Sequence, residues 1–210
     1  MSTITILGAG NVGLALGSSF LRHGKSVVFG VPEPQKYRDA LAALGTGASL
    51  LPTGEAIAAS DIVILAVPHA AVAPIATAIP DWHGKILVDA TNPLAPGLAG
   101  LSIGTTTSAA EELARLANGA RVVKAFNTTG AENMADPSYA GGLAIMPVCG
   151  DDSDARQQVM ALATLIGFEA IDCGGLAAAR YLEPFAMTWI HLAIKQGHGR
   201  KFAFSILRRH

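Results

Sequence analysis

Three glycines close to the N-terminus have the spacing of a phosphate-binding loop. The stretch ITILGAGNVGLALG (4–17) carries G-x-G-x-x-G at Gly8, Gly10 and Gly13, between a short apolar run and a helical pattern, and this context makes the motif specific. In such a loop the first glycine permits a tight turn, the second lets the backbone approach a pyrophosphate, and the third lets the helix pack closely on the strand. Amides at the start of the helix then point towards the phosphates. The residues predicted to bind a dinucleotide here are Gly8, Ala9, Gly10, Asn11, Val12 and Gly13.

The stretch that would select the nucleotide contains both a carboxylate and basic side chains. It reads FGVPEPQKYRDAL (29–41). NAD enzymes typically have an acidic residue about 20 residues beyond the glycine loop, where it accepts hydrogen bonds from the ribose 2′-hydroxyl, and Glu33 has that spacing. A carboxylate there repels a 2′-phosphate, whereas Lys36 and Arg38 attract one. We favour NADP(H), while NAD(H) and a site that binds no nucleotide stay open.

Polar side chains follow two of the later apolar runs. Asn127, Thr128 and Thr129 come directly after the run 121–126, and Asn92 follows the run 85–90. At the ligand edge of a sheet these groups would hydrogen-bond a carboxamide or a second substrate. The alternative is a loop whose polar side chains bond only to their own backbone.

The elements that must position these residues alternate along the chain. Apolar runs of strand length cover 3–8, 26–31, 61–67, 85–90, 121–126, 143–150 and 168–174, and helical patterns cover 11–24, 34–45, 108–117 and 152–167. Near-continuous runs of Val, Ile and Leu are typical of strands covered on both faces. The pattern predicts an α/β protein of Rossmann type, with a doubly wound, mostly parallel sheet whose strands end at one ligand-binding edge.

The pattern changes to helix only after about residue 175. We therefore predict a dinucleotide-binding domain over 1–175 and a short helical C-terminal segment over 176–210, which packs on the domain or on a dimer partner. Pro184 interrupts the segment, so two helical pieces are expected. The two arginines near the end of the tail are expected at a solvated helix C-terminus.

Composition excludes several classes of protein. The chain has 210 residues, half of them hydrophobic, and a formal net charge of −1, so it lacks the basic excess of nucleic-acid-binding proteins. Four residues, three of them prolines, break up the apolar stretch 62–80, which argues against a membrane span. The N-terminus has no basic region before its apolar run, so we expect no signal peptide and a cytoplasmic location.

Cys149 and Cys173 have no metal-binding spacing and are expected as buried thiols, with one disulfide as the alternative.

Several motifs together are similar to one known family. The glycine loop, VVFG (27–30), ILAVP (64–68), DATNPL (89–94) and above all VKAFNTTGAENM (123–134) resemble the coenzyme F420-dependent NADP reductase family, which includes the oxidoreductase domains of the STEAP metalloreductases. The resemblance runs from residue 3 to about residue 190. It implies a Rossmann fold, NADP(H), hydride transfer at the nicotinamide C4, F420 or a flavin as second cofactor, and a homodimer in which the C-terminal segment takes part.

The resemblance also implies roles for individual residues. It places Ala66, Val67 and Pro68 beside the ribose and adenine, and it places Asn92, Pro93, Ala125, Phe126 and Asn127 around the nicotinamide and the second cofactor. Where the family meets the 2′-phosphate with a hydroxyl, an arginine and a lysine, this chain has Val31, Pro32 and Lys36.

The resemblance leads to a functional expectation with two alternatives. We expect an NADP(H)-dependent oxidoreductase without catalytic side chains or a metal, since stacked cofactor rings carry hydride transfer by proximity. A nucleotide-binding sensor without turnover is one alternative. The other is a small-molecule dehydrogenase, which would need a larger helical domain than the residues after 175 provide.

Overall fold

Runs of Ile, Val and Leu form the strands of one eight-stranded sheet. The computed structural model describes residues 3–209. The strands of the sheet are β1 (Thr3–Leu7), β2 (Ser26–Val31), β3 (Ala48–Pro52), β4 (Ile62–Leu65), β5 (Ile86–Asp89), β6 (Arg121–Lys124), β9 (Ile145–Gly150) and β10 (Glu169–Asp172), and a separate hairpin contains β7 (Ser138–Tyr139) and β8 (Gly142–Leu143). The α-helices are α1 (Asn11–Arg22), α2 (Arg38–Ala42), α3 (Thr53–Ala58), α4 (Val72–Ala78), α5 (Ala109–Leu116), α6 (Ala131–Ala135), α7 (Ser153–Leu165) and α8 (Ala179–Ile190).

The strand order confirms the predicted Rossmann topology. The sheet runs β10-β9-β6-β5-β4-β1-β2-β3, and its last six strands have the order 3-2-1-4-5-6 that defines the fold. All neighbours pair in parallel except β6 and β9, which are antiparallel. The order reverses between β1 and β4, and the carboxyl ends of those two strands are where this fold binds its ligand.

Helices cover both faces of the sheet, as the continuous apolar runs predicted. One core contains buried side chains of α1, α2 and α7, such as Phe20, and the other contains side chains of α3, α4, α5 and α8, such as Leu182. None of the helices between residues 3 and 209 has the length and apolar character that crossing a membrane requires.

Cys149 is buried, Cys173 is partly buried and both are free thiols, so the disulfide alternative is wrong.

Several elements differ from the sequence prediction. The edge strand β3 was not predicted, because its half-exposed residues lack the run of buried aliphatic side chains that marks the central strands. The strands predicted to reach residues 67 and 126 end at Leu65 and Lys124. The helix predicted over 34–45 consists of a 3-10 turn, Pro34–Tyr37, followed by the short α2.

The C-terminal segment is helical for less of its length than predicted, and it packs on the domain. Pro184 lies inside α8 without ending it, because buried residues on both sides of the proline hold the helix on the sheet. A π-helical turn, His191–Lys195, follows α8, and residues 201–209 have no regular secondary structure apart from one bend. The tail therefore does not end as a helix, and the Phe204 carbonyl instead accepts a hydrogen bond from the Ile145 amide at 3.0 Å.

A buried ion cluster joins α8 to the sheet. The Lys124 ammonium on β6 lies 2.8 Å from Asp89 Oδ2 and 3.0 Å from Glu183 Oε1, and it donates to the Thr91 carbonyl at 2.7 Å. All three donors of the lysine are therefore satisfied. The Glu183 carboxylate also accepts from the amides of Ala109 and Ala110, at 3.1 and 3.2 Å, so one cluster connects β5, β6, α5 and α8.

Electrostatics keep the buried Lys124 ammonium charged. Burial alone would lower the pKa of Lys124, but the Asp89 and Glu183 carboxylates outweigh burial and raise that pKa above its usual value. Removing one partner of a buried ion pair leaves an uncompensated buried charge, whose cost exceeds that of any surface pair.

We predict that Lys124→Met lowers the free energy of unfolding by about 3–5 kcal/mol, because two carboxylates lose their counter-ion in the interior. Urea denaturation measures the change. The matched control is Arg121→Met on the same strand, whose partly exposed side chain bonds to Gly84 O and lies near Asp152 and whose loss should cost about 1 kcal/mol or less. Equal effects of the two substitutions would contradict a special role for the buried cluster.

Candidate functional site

The glycine loop joins β1 to α1 at the point where the strand order reverses. Gly8 has φ +103°, and a Cβ on it would lie 2.5 Å from the Ala66 carbonyl oxygen. A Cβ on Gly13 would lie 2.1 Å from the Gly8 carbonyl oxygen. The fold itself therefore requires glycine at these two positions. A Cβ on Gly10, in contrast, would meet no atom within 4 Å, which leaves that position open to a ligand.

The first turn of α1 offers unpaired donors to this open space. The amides of Asn11, Val12 and Gly13 have no carbonyl earlier in the helix with which to pair. The N-cap residue Gly10 has no side chain that could satisfy them, and the first turn contains no acidic residue. Such donors, together with the helix dipole, favour an anion, and the residues present fit a pyrophosphate.

A cavity of about 570 Å³ lies in the crevice beside the loop, and we call it the crevice cavity. It is lined by Gly8, Gly10, Gly30, Val31, Pro32, Tyr37, Thr53, Ala66, Val67, Pro68, Ala71, Pro74 and Ile75. Its volume is within the range of about 300–1,000 Å³ that is usual for small-molecule sites. Among the described residues that line it, none carries a charge.

The crevice cavity brings together many of the predicted nucleotide-site residues. They are Gly8, Gly10, Val31, Ala66, Val67 and Pro68. Sequence reasoning missed Tyr37, although it lies in the nucleotide-selecting stretch, and it missed Thr53, which follows the unpredicted strand β3. It also missed the apolar wall from the start of α4, namely Pro74 and Ile75.

Lys36 does not line the crevice cavity. Its ammonium donates to Glu33 Oε1 at 2.7 Å, and the two side chains are 66% and 62% exposed. The Glu33 carboxylate would repel a 2′-phosphate, and the Lys36 ammonium would attract one. These two charges therefore neutralise each other near the cavity.

A second cavity, of about 230 Å³, lies on the α6 and α8 side of the loop. It is lined by Val12, Asn92, Leu94, Leu98, Asn127, Thr129, Gly130, Ala131, Trp189, Ile190, Ile194 and Arg200. Val12, Asn92, Asn127 and Thr129 were predicted as site residues. The contribution of the C-terminal segment, namely Trp189, Ile190, Ile194 and Arg200, was not predicted. The apolar character of Trp189, Ile190 and Ile194 is the sequence signal that could have indicated it.

Two asparagines hold each other at one wall of the second cavity. Asn92 Nδ2 donates to the Asn127 carbonyl at 2.8 Å, and Asn127 Nδ2 donates to Asn92 Oδ1 at 3.0 Å and to the Leu182 carbonyl at 3.3 Å. These partners determine which end of the Asn127 amide is the nitrogen. Asn127 Oδ1 is buried and has no hydrogen-bond partner among the described residues.

The remaining predicted site residues lie outside the linings of the two cavities. They are Ala9, Asn11, Gly13, Lys36, Pro93, Ala125, Phe126 and Thr128. Phe126 is fully buried with φ +59° and packs edge-to-face on Phe20, with 6.3 Å between ring centroids. The Thr128 hydroxyl is directed at Met146 Sδ. Phe126 and Thr128 are thus enclosed by protein, with 0% and 2% of their surface exposed.

Comparison with known proteins identifies the family. The model of the family described as NADP oxidoreductase, coenzyme F420-dependent, matches residues 3–93. The F420-dependent NADP reductase of Methanothermobacter thermautotrophicus is 30% identical over 93% of this chain and 90% of that protein. The metalloreductase STEAP3 of Rattus norvegicus is 30% identical over 88% of this chain, which spans 36% of that longer protein.

A solved structure agrees with these relatives. It comes from Arthrobacter sp. FB24, is named for an F420-dependent NADP reductase, and has 30% sequence identity and a TM-score of 0.89 over 99% of this chain and all of that one. The chain therefore belongs to the F420-dependent NADP reductase family of NADP-dependent oxidoreductases.

Proposed function

We propose that this protein transfers hydride between the nicotinamide of NADP(H) and a bound organic redox cofactor, F420 or a flavin. The observation that carries the proposal is the position of the two cavities on either side of the first turn of α1. A dinucleotide whose pyrophosphate lies on the free amides of that turn has room for its adenosine half in the crevice cavity. Its nicotinamide half then extends towards the second cavity.

The residues of this chain bind and orient rather than react. The amides of Asn11 and Val12 hold the pyrophosphate, and Ala66, Val67 and Pro68 form a wall for the ribose and adenine. The nicotinamide and the second cofactor supply the chemistry of hydride transfer when bound, and holding their rings in contact is the main contribution of the protein.

A cytoplasmic location and a homodimer belong to the same proposal. Exposed apolar side chains on the C-terminal segment support the dimer, since Tyr181 is 76% and Leu207 is 86% exposed. Sedimentation velocity measures the oligomeric state, and a monomer would contradict this part.

The turnover experiment tests the proposal directly. Pure protein is mixed with NADPH and, in separate reactions, with F420, with FMN and with FMN plus a ferric chelate, and the loss of NADPH absorbance is followed. We expect oxidation of NADPH with F420 or FMN. Tight NADPH binding without oxidation by any acceptor would overturn the proposal in favour of a nucleotide sensor.

The glycine loop generates a second prediction. Gly10→Ala should leave the melting temperature unchanged or slightly higher, because its Cβ meets no protein atom and alanine restricts the unfolded chain. It should weaken NADPH binding about 10- to 100-fold, because the methyl group occupies space needed by the pyrophosphate. Calorimetric titration measures the affinity.

The matched variant at the third glycine should instead lose stability. Gly13→Ala places a Cβ against the Gly8 carbonyl oxygen and should lower the free energy of unfolding by about 1–3 kcal/mol. Loss of stability in Gly10→Ala would contradict the open space beside Gly10. Normal NADPH affinity in that variant would show that the open side of the loop does not face the nucleotide.

The Lys36–Glu33 pair generates a third prediction. Lys36→Ala should weaken NADPH binding about 3- to 5-fold, the size expected for an exposed charge, and should leave NADH binding unchanged. Glu33→Gln should strengthen NADPH binding by about 2-fold, because it frees Lys36 and removes a repulsive charge. Asp154→Asn, on the exposed first turn of α7, removes the same charge elsewhere and is the control. Equal effects of Lys36→Ala on NADPH and NADH would rule out a contact with the 2′-phosphate.

A further inference from the structure

The turn after β2 lacks donors of the kind that a 2′-phosphate needs. Such a phosphate adds about 1.5–2 negative charges to the ribose, and proteins bind phosphates with arginine, lysine, hydroxyl and backbone N–H donors. Residues 32–35 read Pro-Glu-Pro-Gln, so two of these four positions have no N–H to donate. Val31, the last residue of β2, has an apolar side chain. The turn therefore offers a 2′-phosphate little that would bind it.

The wall of the crevice cavity beside this turn is neutral as well. Val31 and Pro52 are paired residues of β2 and β3, so Pro32 and Thr53, which follow them, lie at the same end of the two strands, and both line the cavity. The polar side chains among its described lining residues are those of Tyr37 and Thr53, and each has one neutral hydroxyl. A hydroxyl can bond to a ribose hydroxyl, but it does not balance the charge of a phosphate.

The two cations of the stretch 29–41 do not supply that balance. Lys36 Nζ lies 2.7 Å from Glu33 Oε1, so the pair has no net charge. Arg38 begins α2, is exposed and does not line the crevice cavity. Because attraction between exposed charges is weak in water, these cations can give NADPH a modest preference but not a strict one.

The carboxylate of Glu33 favours the dinucleotide without the phosphate. Glu33 follows the lining residue Pro32 and lies 20 residues beyond Gly13, the spacing at which NAD enzymes have an acidic residue for the ribose 2′-hydroxyl. Lys36 bonds to its Oε1, whereas its Oε2 makes no hydrogen bond to the residues that the structure describes. A carboxylate oxygen accepts from a 2′-hydroxyl and repels a 2′-phosphate. Glu33 therefore offsets the preference that Lys36 gives NADPH.

We propose that this protein binds NADH almost as well as NADPH, and that Pro32 is the residue responsible for the weak discrimination. The inference rests on the proposed function, which puts the adenosine half of the dinucleotide in the crevice cavity. It deepens that function by naming the dinucleotides that the protein accepts. NADH and NADPH share the pyrophosphate and the nicotinamide, so only residues beside the adenosine ribose distinguish them. Pro32 lines the cavity there and provides neither an N–H nor a charge.

Calorimetric titration of the wild-type protein with NADPH and with NADH gives the two dissociation constants. We expect NADPH to bind less than 10-fold more tightly than NADH, because Lys36 is exposed and paired with a carboxylate. The fragments 5′-AMP and adenosine 2′,5′-bisphosphate differ only in the 2′-phosphate and should show the same small ratio. With an electron acceptor present, the values of kcat/KM for NADPH and NADH should also differ less than 10-fold.

A charge introduced at Pro32 should create the missing selectivity. Pro32→Arg restores an N–H and adds a guanidinium at the wall of the cavity, so it should raise the preference for NADPH about 10-fold. Pro34→Arg makes the same change two residues later, where the side chain does not line the cavity, and should change the preference about 2-fold or less. Pro32 is exposed, so we expect the fold to be retained, and melting temperatures of both variants check this.

The outcomes separate this inference from the proposed function. If NADPH binds 10-fold or more tightly than NADH, or if Pro32→Arg raises the preference no more than Pro34→Arg does, the inference is overturned while the oxidoreductase activity stands. If no acceptor oxidises NADPH, the proposed function fails, and the two dissociation constants still decide the inference because they require no turnover. If neither dinucleotide binds, both fail.

Discussion

The buried contact between Lys124 and two carboxylates is the constraint on which the rest of the site depends. A charge this deep is tolerated only with its partners in place, so Asp89, Lys124 and Glu183 must remain together in the folded protein. Since these residues lie on β5, β6 and α8, the cluster determines where the C-terminal helix sits on the sheet. The Leu182 carbonyl next to Glu183 then meets the Asn127 amide, and α8 brings Trp189 and Ile190 to the second cavity.

The glycine loop is the second constraint, and it acts on both cavities at once. Gly8 and Gly13 allow β1, β4 and α1 to approach within distances that a Cβ would not permit. That approach creates the crevice at the reversal of strand order and also aims the first turn of α1 between the two cavities. A single loop therefore organises the larger apolar cavity on one side and the smaller cavity, lined in part by Asn92 and Asn127, on the other.

The charges of this protein are arranged around sites whose walls are almost neutral. The crevice cavity has no charged lining residue among those described, and near it Lys36 is neutralised by Glu33. Arg200 is the charged residue among those described that line the second cavity. Both cavities therefore have walls of low polarity, which exclude water from whatever binds between them.

The sequence by itself determined the Rossmann topology, the glycine loop and much of the crevice, because these features depend on local patterns. Glycine spacing, apolar runs and the polar residues that follow strands are all visible within short windows of the chain. The sequence also indicated Asn92 and Asn127 for this reason, since each follows a strand.

Only the tertiary structure decided which side chains meet across long separations. Glu183 contacts residues more than 70 positions away, and Arg200 contacts Glu132 68 positions away. No local pattern encodes such pairs. Phe126 and Thr128 illustrate the same limit, because they follow a strand as Asn127 does, yet a positive φ at Phe126 and the packing of Met146 turn their side chains into the core. Burial and long-range pairing thus decided which of the residues at the sheet edge line the two cavities.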